Sequence, residues 1–128
     1  MIKGIEHFGI FSKDTAALKD WYIKMFKFEQ VYDNGKGTFF LKAPDGSMLE
    51  FVMTSEDGGI AGDKVSGLRH IALTVDDASF DVAYKELSEA NVPVVAEPVI
   101  SEEKGLKTFF FRDPDGNVLH LIYRRNAL

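Results

Sequence analysis

The chain has 128 residues, of which 45% are hydrophobic and 27% charged, and it carries a net charge of -5. That length suits one compact domain, and that composition excludes intrinsic disorder. The acidic balance without any Lys/Arg block argues against nucleic acid or an anionic membrane as partner, and the lack of cysteine excludes disulfides, thiol catalysis and thiolate metal sites. The N-terminus, Met1-Ile2-Lys3-Gly4-Ile5, is not that of a signal peptide. No apolar run is long enough to span a bilayer. A cytoplasmic location is expected.

The first strand is expected to carry His7, Phe8, Gly9, Ile10 and Phe11. A helix follows, with Asp14 as N-cap and an apolar stripe of Leu18, Trp21, Tyr22 and Met25 at i, i+3, i+4, i+7 spacing. Three strands are predicted next, over Glu29–Tyr32, Thr38–Lys42 and Ser47–Met53, the last two joined by a Pro44-Asp45-Gly46 turn. Thr54–Ser66, with Gly58, Gly59 and Gly62, reads as a linker. A strand after Gly67 then leads into a helix capped by Asp76 or Asp77, whose apolar face is Phe80, Ala83, Tyr84, Leu87 and Ala90. Strands at Val94–Val99, Lys107–Arg112 and Asn117–Arg124 complete the chain, with Pro114-Asp115-Gly116 as the final turn.

The two halves share this order because the sequence repeats. Gly4–Ile10 matches Gly67–Leu73, and Phe39–Gly46 matches Phe109–Gly116. The offset grows from 63 to 70 positions between the two matches, and the surplus is assigned to Val94–Gly105. The fold class is therefore α+β: two tandem βαβββ modules, 1–53 and 67–128, joined by linker 54–66 into one domain over 1–128.

Strand alternation then separates two faces. Phe8, Ile10, Leu49, Phe51, Ile71, Leu73, Leu119 and Leu121 fall on the face expected beneath the helices. His7, Glu50, His70 and His120 fall on the opposite face, in the first and last strand of each module. A single strand histidine is ordinarily a satisfied core or surface residue. Here all three histidines of the chain occupy repeat-related slots, and Glu50 fills the fourth. Imidazoles with one carboxylate suit a single divalent ion: Ni, Zn, Fe, Co or Mn. Tyr32, Asp33 and Lys36 read either as substrate contacts or as an ordinary polar turn, and Glu102-Glu103-Lys104 as a solvated loop.

Gly4–Phe11, Leu18–Phe28, Phe39–Val52, Leu68–Asp77 and Phe109–Arg124 together resemble the vicinal oxygen chelate superfamily, which includes glyoxalase I, methylmalonyl-CoA epimerase, extradiol dioxygenases, fosfomycin resistance enzymes and bleomycin-binding proteins. The resemblance is closest to glyoxalase I-like proteins. It implies an incomplete eight-stranded barrel around a metal site, with His7, Glu50, His70 and His120 as ligands. It also implies a lyase or isomerase that acts on a small substrate with two adjacent oxygens, such as a 2-oxoaldehyde–thiol hemithioacetal, through a metal-bound enediolate. A homodimer is expected, since relatives build the site within one chain or across two, and no nucleic acid or membrane is expected as partner.

Two positions depart from the family pattern. His120 stands where glyoxalase I-like enzymes place a Glu, so the charge of ion plus ligands rises from zero to +1, and Glu50 is left as the catalytic base, with a metal-bound hydroxide as the alternative. Lys27 stands where the family has a Gly after the first helix, with Asn91 as its counterpart; a left-handed backbone there costs Lys about 1 kcal/mol and suits Asn. The alternatives are an Fe(II)-dependent ring-cleaving dioxygenase and a metal-free drug-binding resistance protein. A fourth protein ligand leaves only two of six positions open, which weighs against the dioxygenase. The three histidines weigh against the drug-binding protein.

Overall fold

A computed structural model of the protein describes residues 1–58 and 66–128. The elements in chain order are β1 (His7–Ser12), α1 (Thr15–Phe26), β2 (Glu29–Asp33), β3 (Phe39–Lys42), β4 (Met48–Met53), β5 (Ile71–Thr74), α2 (Asp77–Glu89), β6 (Val94–Ser101), β7 (Leu106–Arg112) and β8 (Val118–Arg124). Two compact units divide the chain, Met1–Gly58 and Gly59–Leu128. Each is a β-α-β-β-β module. Positions 59–65 of the expected linker lie outside the described residues.

The strand order is β1-β4-β3-β2 in module one and β5-β8-β7-β6 in module two. In each, the first strand runs parallel to the last, and the remaining pairs are antiparallel. The strands therefore form two open four-stranded sheets rather than a closed barrel. No helix among the described residues is long and apolar enough to cross a membrane.

Both helices begin on an aspartate. The Asp14 carboxylate accepts from Ala17 N–H at 3.0 Å, and the Asp76 carboxylate from Ser79 N–H at 2.7 Å. Asp76, rather than Asp77, is thus the second cap; Asp77 lies in the first turn, where its charge suits the helix dipole. Both helices are followed by a left-handed residue, Lys27 at φ 59° and Asn91 at φ 55°. The conformation is the same, but only Asn has a short polar side chain that tolerates it.

The core of each module lies between helix and sheet. In module one, Leu18 and Tyr22 of α1 cover Phe39, Leu41, Leu49 and Phe51, all buried, with the Tyr22 and Phe51 rings 5.2 Å apart. In module two, Phe80 and Leu87 of α2 cover Phe109, Phe111, Leu119 and Leu121, and Tyr84 meets Phe109 edge-on at 5.0 Å. Each of these large side chains contributes about 1.5–3 kcal/mol by leaving water. The expected parity holds for β3, β4, β7 and β8, whose odd-numbered face is committed to the core, and for Ile10 of β1; Phe8 of β1 is exposed, and Ile71 and Leu73 of β5 are only half-buried, because these first strands lie at the sheet edges.

The modules differ in length along one hairpin. The offset between matching residues is 64 at Lys27 and Asn91 but 70 at Pro44 and Pro114. Most of the surplus lies in the β6–β7 hairpin, whose strands have 8 and 7 residues against 5 and 4 in β2 and β3. It extends strand as well as loop. Arg125 holds the hairpin's tip, donating from its backbone to Gly105 O at 2.8 Å and from its guanidinium to Glu103 O at 3.1 Å.

Candidate metal centre

In module one, the ladder brings Gly9, Glu50 and Phe40 side by side across β1, β4 and β3. Glu50 therefore projects from the face opposite α1. The hydrogen of Gly9 makes room for its carboxylate, since a Cβ at position 9 would lie 3.3 Å from Glu50 Oε1. His7 enters the same face from the start of β1, where the Met48 N–H bond to Glu6 O at 3.2 Å extends the ladder. His7 Nε2 stands 3.7 Å from Glu50 Oε1, and its Nδ1 lies 3.3 Å from Glu6 Oε1. The ring edge of His7 packs on Phe40 with centroids 5.2 Å apart. Glu6 thus holds the imidazole at Nδ1, and Nε2 is the nitrogen that faces Glu50. Tyr32 lies across from Phe40 on β2 and meets it edge-on at 5.8 Å, placing a phenol on this same face.

Asp33 and Lys36 serve the turn. Asp33 Oδ1 accepts from Gly35 N–H at 2.7 Å, and Lys36 N–H donates to Asn34 Oδ1 at 2.8 Å. The loop at Glu102–Lys104 is exposed, as expected of a solvated turn.

In module two, the equivalent ladder aligns Ala72, His120 and Phe110. Phe110 stacks on the His120 imidazole with centroids 3.9 Å apart and planes 13° apart. His70, just before β5, meets the His120 ring edge-on at 5.2 Å. His120 is only 8% exposed. Both of its ring nitrogens, and Nδ1 of His70, are buried without a hydrogen-bond partner. An orphaned buried polar atom costs about 1–3 kcal/mol, so such groups usually mark a function. Burial, and then the positive charges of His70, Arg124 and Arg69, push the His120 pKa down to about 4. Burial and Arg69 lower that of His70 as well. Both imidazoles are therefore neutral at pH 7, the state a metal ligand requires.

The four expected residues thus come together as two pairs, His7 with Glu50 and His70 with His120. Among the described residues, neither pair gains a third His, Asp or Glu ligand. Within each module the donors are of a kind that divalent ions accept: a carboxylate and an imidazole held by Glu6 in module one, and two imidazoles with unpartnered nitrogens in module two.

Alternation along the first strand of module two predicts Arg69 on the face away from His70. The structure overturns this. Both residues precede the first residue of β5, so the strand's parity does not extend to them, and the Arg69 guanidinium lies over the Phe110 ring at 5.5 Å. Glu6, Phe40 and Phe110 are further members of the two faces that the sequence pattern did not single out. Phe40 and Phe110 were within reach of it, because both alternate with core residues and fall on matching positions of the repeat.

The family model of the Glyoxalase/Bleomycin resistance protein/Dioxygenase superfamily matches residues 4–121. No curated protein matches the chain. Among solved structures, a glyoxalase/dioxygenase from Nostoc punctiforme is similar with a TM-score of 0.82 at 17% identity, over 97% of this chain and 92% of that one. Oxidase ChaP-H2 has a TM-score of 0.77 at 20% identity, over 99% and 98%. A point mutant of the fosfomycin resistance protein FosX from Listeria monocytogenes, complexed with Mn(II) and 1S,2S-dihydroxypropylphosphonic acid, has a TM-score of 0.75 at 18% identity, over 100% and 94%. At these identities the likeness establishes the fold.

Proposed function

The chain belongs to the Glyoxalase/Bleomycin resistance protein/Dioxygenase superfamily, and from that premise we propose that it is a metal-dependent lyase or isomerase of the glyoxalase type. Its substrate is a small molecule with two adjacent oxygens, such as the hemithioacetal of a 2-oxoaldehyde and a thiol. His7, Glu50, His70 and His120 together hold one divalent ion, drawn from Ni, Zn, Fe, Co and Mn. The observation that carries this reading is the set of orphaned nitrogens on His120 and His70, at the repeat-related positions of the His7–Glu50 pair. Neither pair suffices alone, because a stable site for these ions takes at least three protein ligands.

A bound ion would supply Lewis acidity to the two substrate oxygens and so acidify the adjacent C–H. The protein supplies the base. A Glu50 carboxylate oxygen takes the proton from the carbinol carbon and returns it to the neighbouring carbon, and the bare Gly9 backbone beneath it leaves the carboxylate room to reach both. His120 and His70, with their nitrogens turned to the ion, would serve as ligands and add no second base. Phe40, Tyr32 and Phe110 provide apolar walls that exclude water from the reacting carbons. The assembly we propose is a cytoplasmic homodimer; the exposed Val31 of β2 and Val94, Val95 and Val99 of β6 lie on edge strands that a second copy can cover.

The test is turnover of a methylglyoxal–thiol hemithioacetal by protein reconstituted separately with each ion. Isomerisation to the thioester with at least one ion, lost on chelation, is the expected result. Oxygen uptake with a catechol and Fe(II), in place of isomerisation, would assign a ring-cleaving dioxygenase instead. Tight binding of an aromatic drug by protein that takes up no metal would assign a resistance protein.

A further inference from the structure

We infer that Arg69 is a specificity-determining residue that receives an anionic group of the substrate, a carboxylate or a phosphonate, beside the histidines of module two. The inference rests on the metal-site reading above and names the substrate class it leaves open. Its ground is a cation without an acid. The Arg69 guanidinium lies over the Phe110 ring at 5.5 Å, and that ring is stacked on His120 at 3.9 Å and stands 5.4 Å from His70. Among the described residues, no carboxylate stands within ion-pair distance of Arg69.

Three other cations of module two are occupied, while Arg124 shares the His120 face with no partner among the described residues. Lys107 binds Asp77 at 3.0 Å and Asp81 at 3.2 Å, Arg112 donates to Gly116 O at 2.7 Å, and Arg125 donates to Glu103 O at 3.1 Å. The sheet face that carries His120 offers no acid either. Alternation along β5, β7 and β8 places Ala72, Thr74, Thr108, Phe110, Ile122 and Arg124 there, none of them negative. A guanidinium without an acidic partner among the described residues, held by a phenyl ring beside two imidazoles, is a fork for a carboxylate or phosphonate. It adds to the +1 charge of an ion held by three His and one Glu, so the site favours a substrate whose chelating oxygens sit next to a fixed anion.

Three chelators that share one diol isolate the effect: catechol, 3,4-dihydroxybenzoate and 3,4-dihydroxyphenylphosphonate, titrated calorimetrically into Zn-loaded protein. Wild type is expected to bind at least one of the two acids at least about tenfold more tightly than catechol, as a charge-assisted pair warrants. The tighter of the two identifies the anion. Arg69→Ala is expected to bring that acid to the affinity of catechol, with catechol itself moving less than about twofold and zinc content unchanged, and Arg69→Lys to keep part of the preference. Absence of a preference in wild type, its survival in Arg69→Ala, or an equal loss of all three ligands in that variant would each overturn the role of Arg69 while leaving the metal site standing. Failure of catechol itself to bind the zinc-loaded wild type would overturn the metal-site reading, and this inference with it.

Discussion

The two modules share a scaffold and differ in chemistry. On the sheet face opposite its helix, module one carries His7 and Glu50, with side chains 36% and 28% exposed, and Glu6 beside them. Module two carries His70 and His120, the latter 8% exposed and stacked on Phe110, with Arg69 and Arg124 as the nearest charges. One half is acidic and accessible; the other is cationic, aromatic and buried. The repeat supplies four equivalent positions, and with His120 where module one has Glu50 the two faces differ in charge; the reading proposed above gives proton transfer to the first and anion binding to the second. The repeated strand slot fixes where a side chain points. The neighbours in each sheet fix what it can do there.

This contrast is open to direct tests. The largest effect belongs to Glu50, the base of the proposed reaction. Glu50→Gln keeps the shape of module one and is expected to lower kcat for hemithioacetal isomerisation by about 10²–10⁴-fold. Retained turnover would place the base elsewhere.

The second effect is a pH dependence confined to module two. His120 has a pKa of about 4 in the folded protein, below its ordinary 6.5. Between these values the unfolded chain binds more protons, so stability rises with pH, is fully present above about 6.5 and is lost as pH falls toward 4. The loss for metal-free protein is on the order of 3 kcal/mol. Urea unfolding from pH 4 to 7 measures it, and His120→Phe is expected to flatten that limb.

The third effect lies in the two Pro-Asp-Gly turns. In module two, Asp113 is buried and accepts from Asp115 N–H, Asn117 N–H and Asn117 Nδ2 at 2.8–2.9 Å. Module one has Ala43 at that position, and its turn relies on Asp45, which accepts from the Ser47 hydroxyl at 2.6 Å. Asp113→Ala is expected to cost about 2–4 kcal/mol in chemical denaturation, because buried donors lose a charged acceptor. Asp45→Ala, at the surface, is expected to cost less.

The smallest effect compares the helix ends. Lys27→Gly is expected to stabilise the protein by about 1 kcal/mol by relieving a left-handed lysine. Asn91→Gly is expected to change stability by less, since Asn already tolerates φ 55°. Equal responses in thermal melts would show that the two caps are not under different strain.

Much of this arrangement was legible from residue patterns. The period of two in Phe39–Lys42 and Phe109–Arg112, the aspartate caps and the paired Pro-Asp-Gly turns each have a local physical cause, so the modules and their strand faces follow directly. Lys27 and Asn91 were legible as left-handed positions only through the Gly that the resembling family places there. Arg69 was not, because alternation holds only inside a strand and β5 begins two residues later. The Glu6 support for His7 and the Phe110 stack on His120 depend on side-chain rotamers and cross-strand register. The surplus residues of module two could be placed by counting, but their use in longer strands depends on pairing across the β6–β7 hairpin.

The central claim is that three imidazoles and one carboxylate, two from each module, hold one ion. Elemental analysis of the purified protein beside His70→Ala and His120→Ala tests it most directly. The account predicts about one divalent ion per four-residue site in the wild type and at least a tenfold lower occupancy in each variant, as loss of a ligand requires. Wild-type protein that takes up no divalent ion, or occupancy unchanged in both variants, would contradict it.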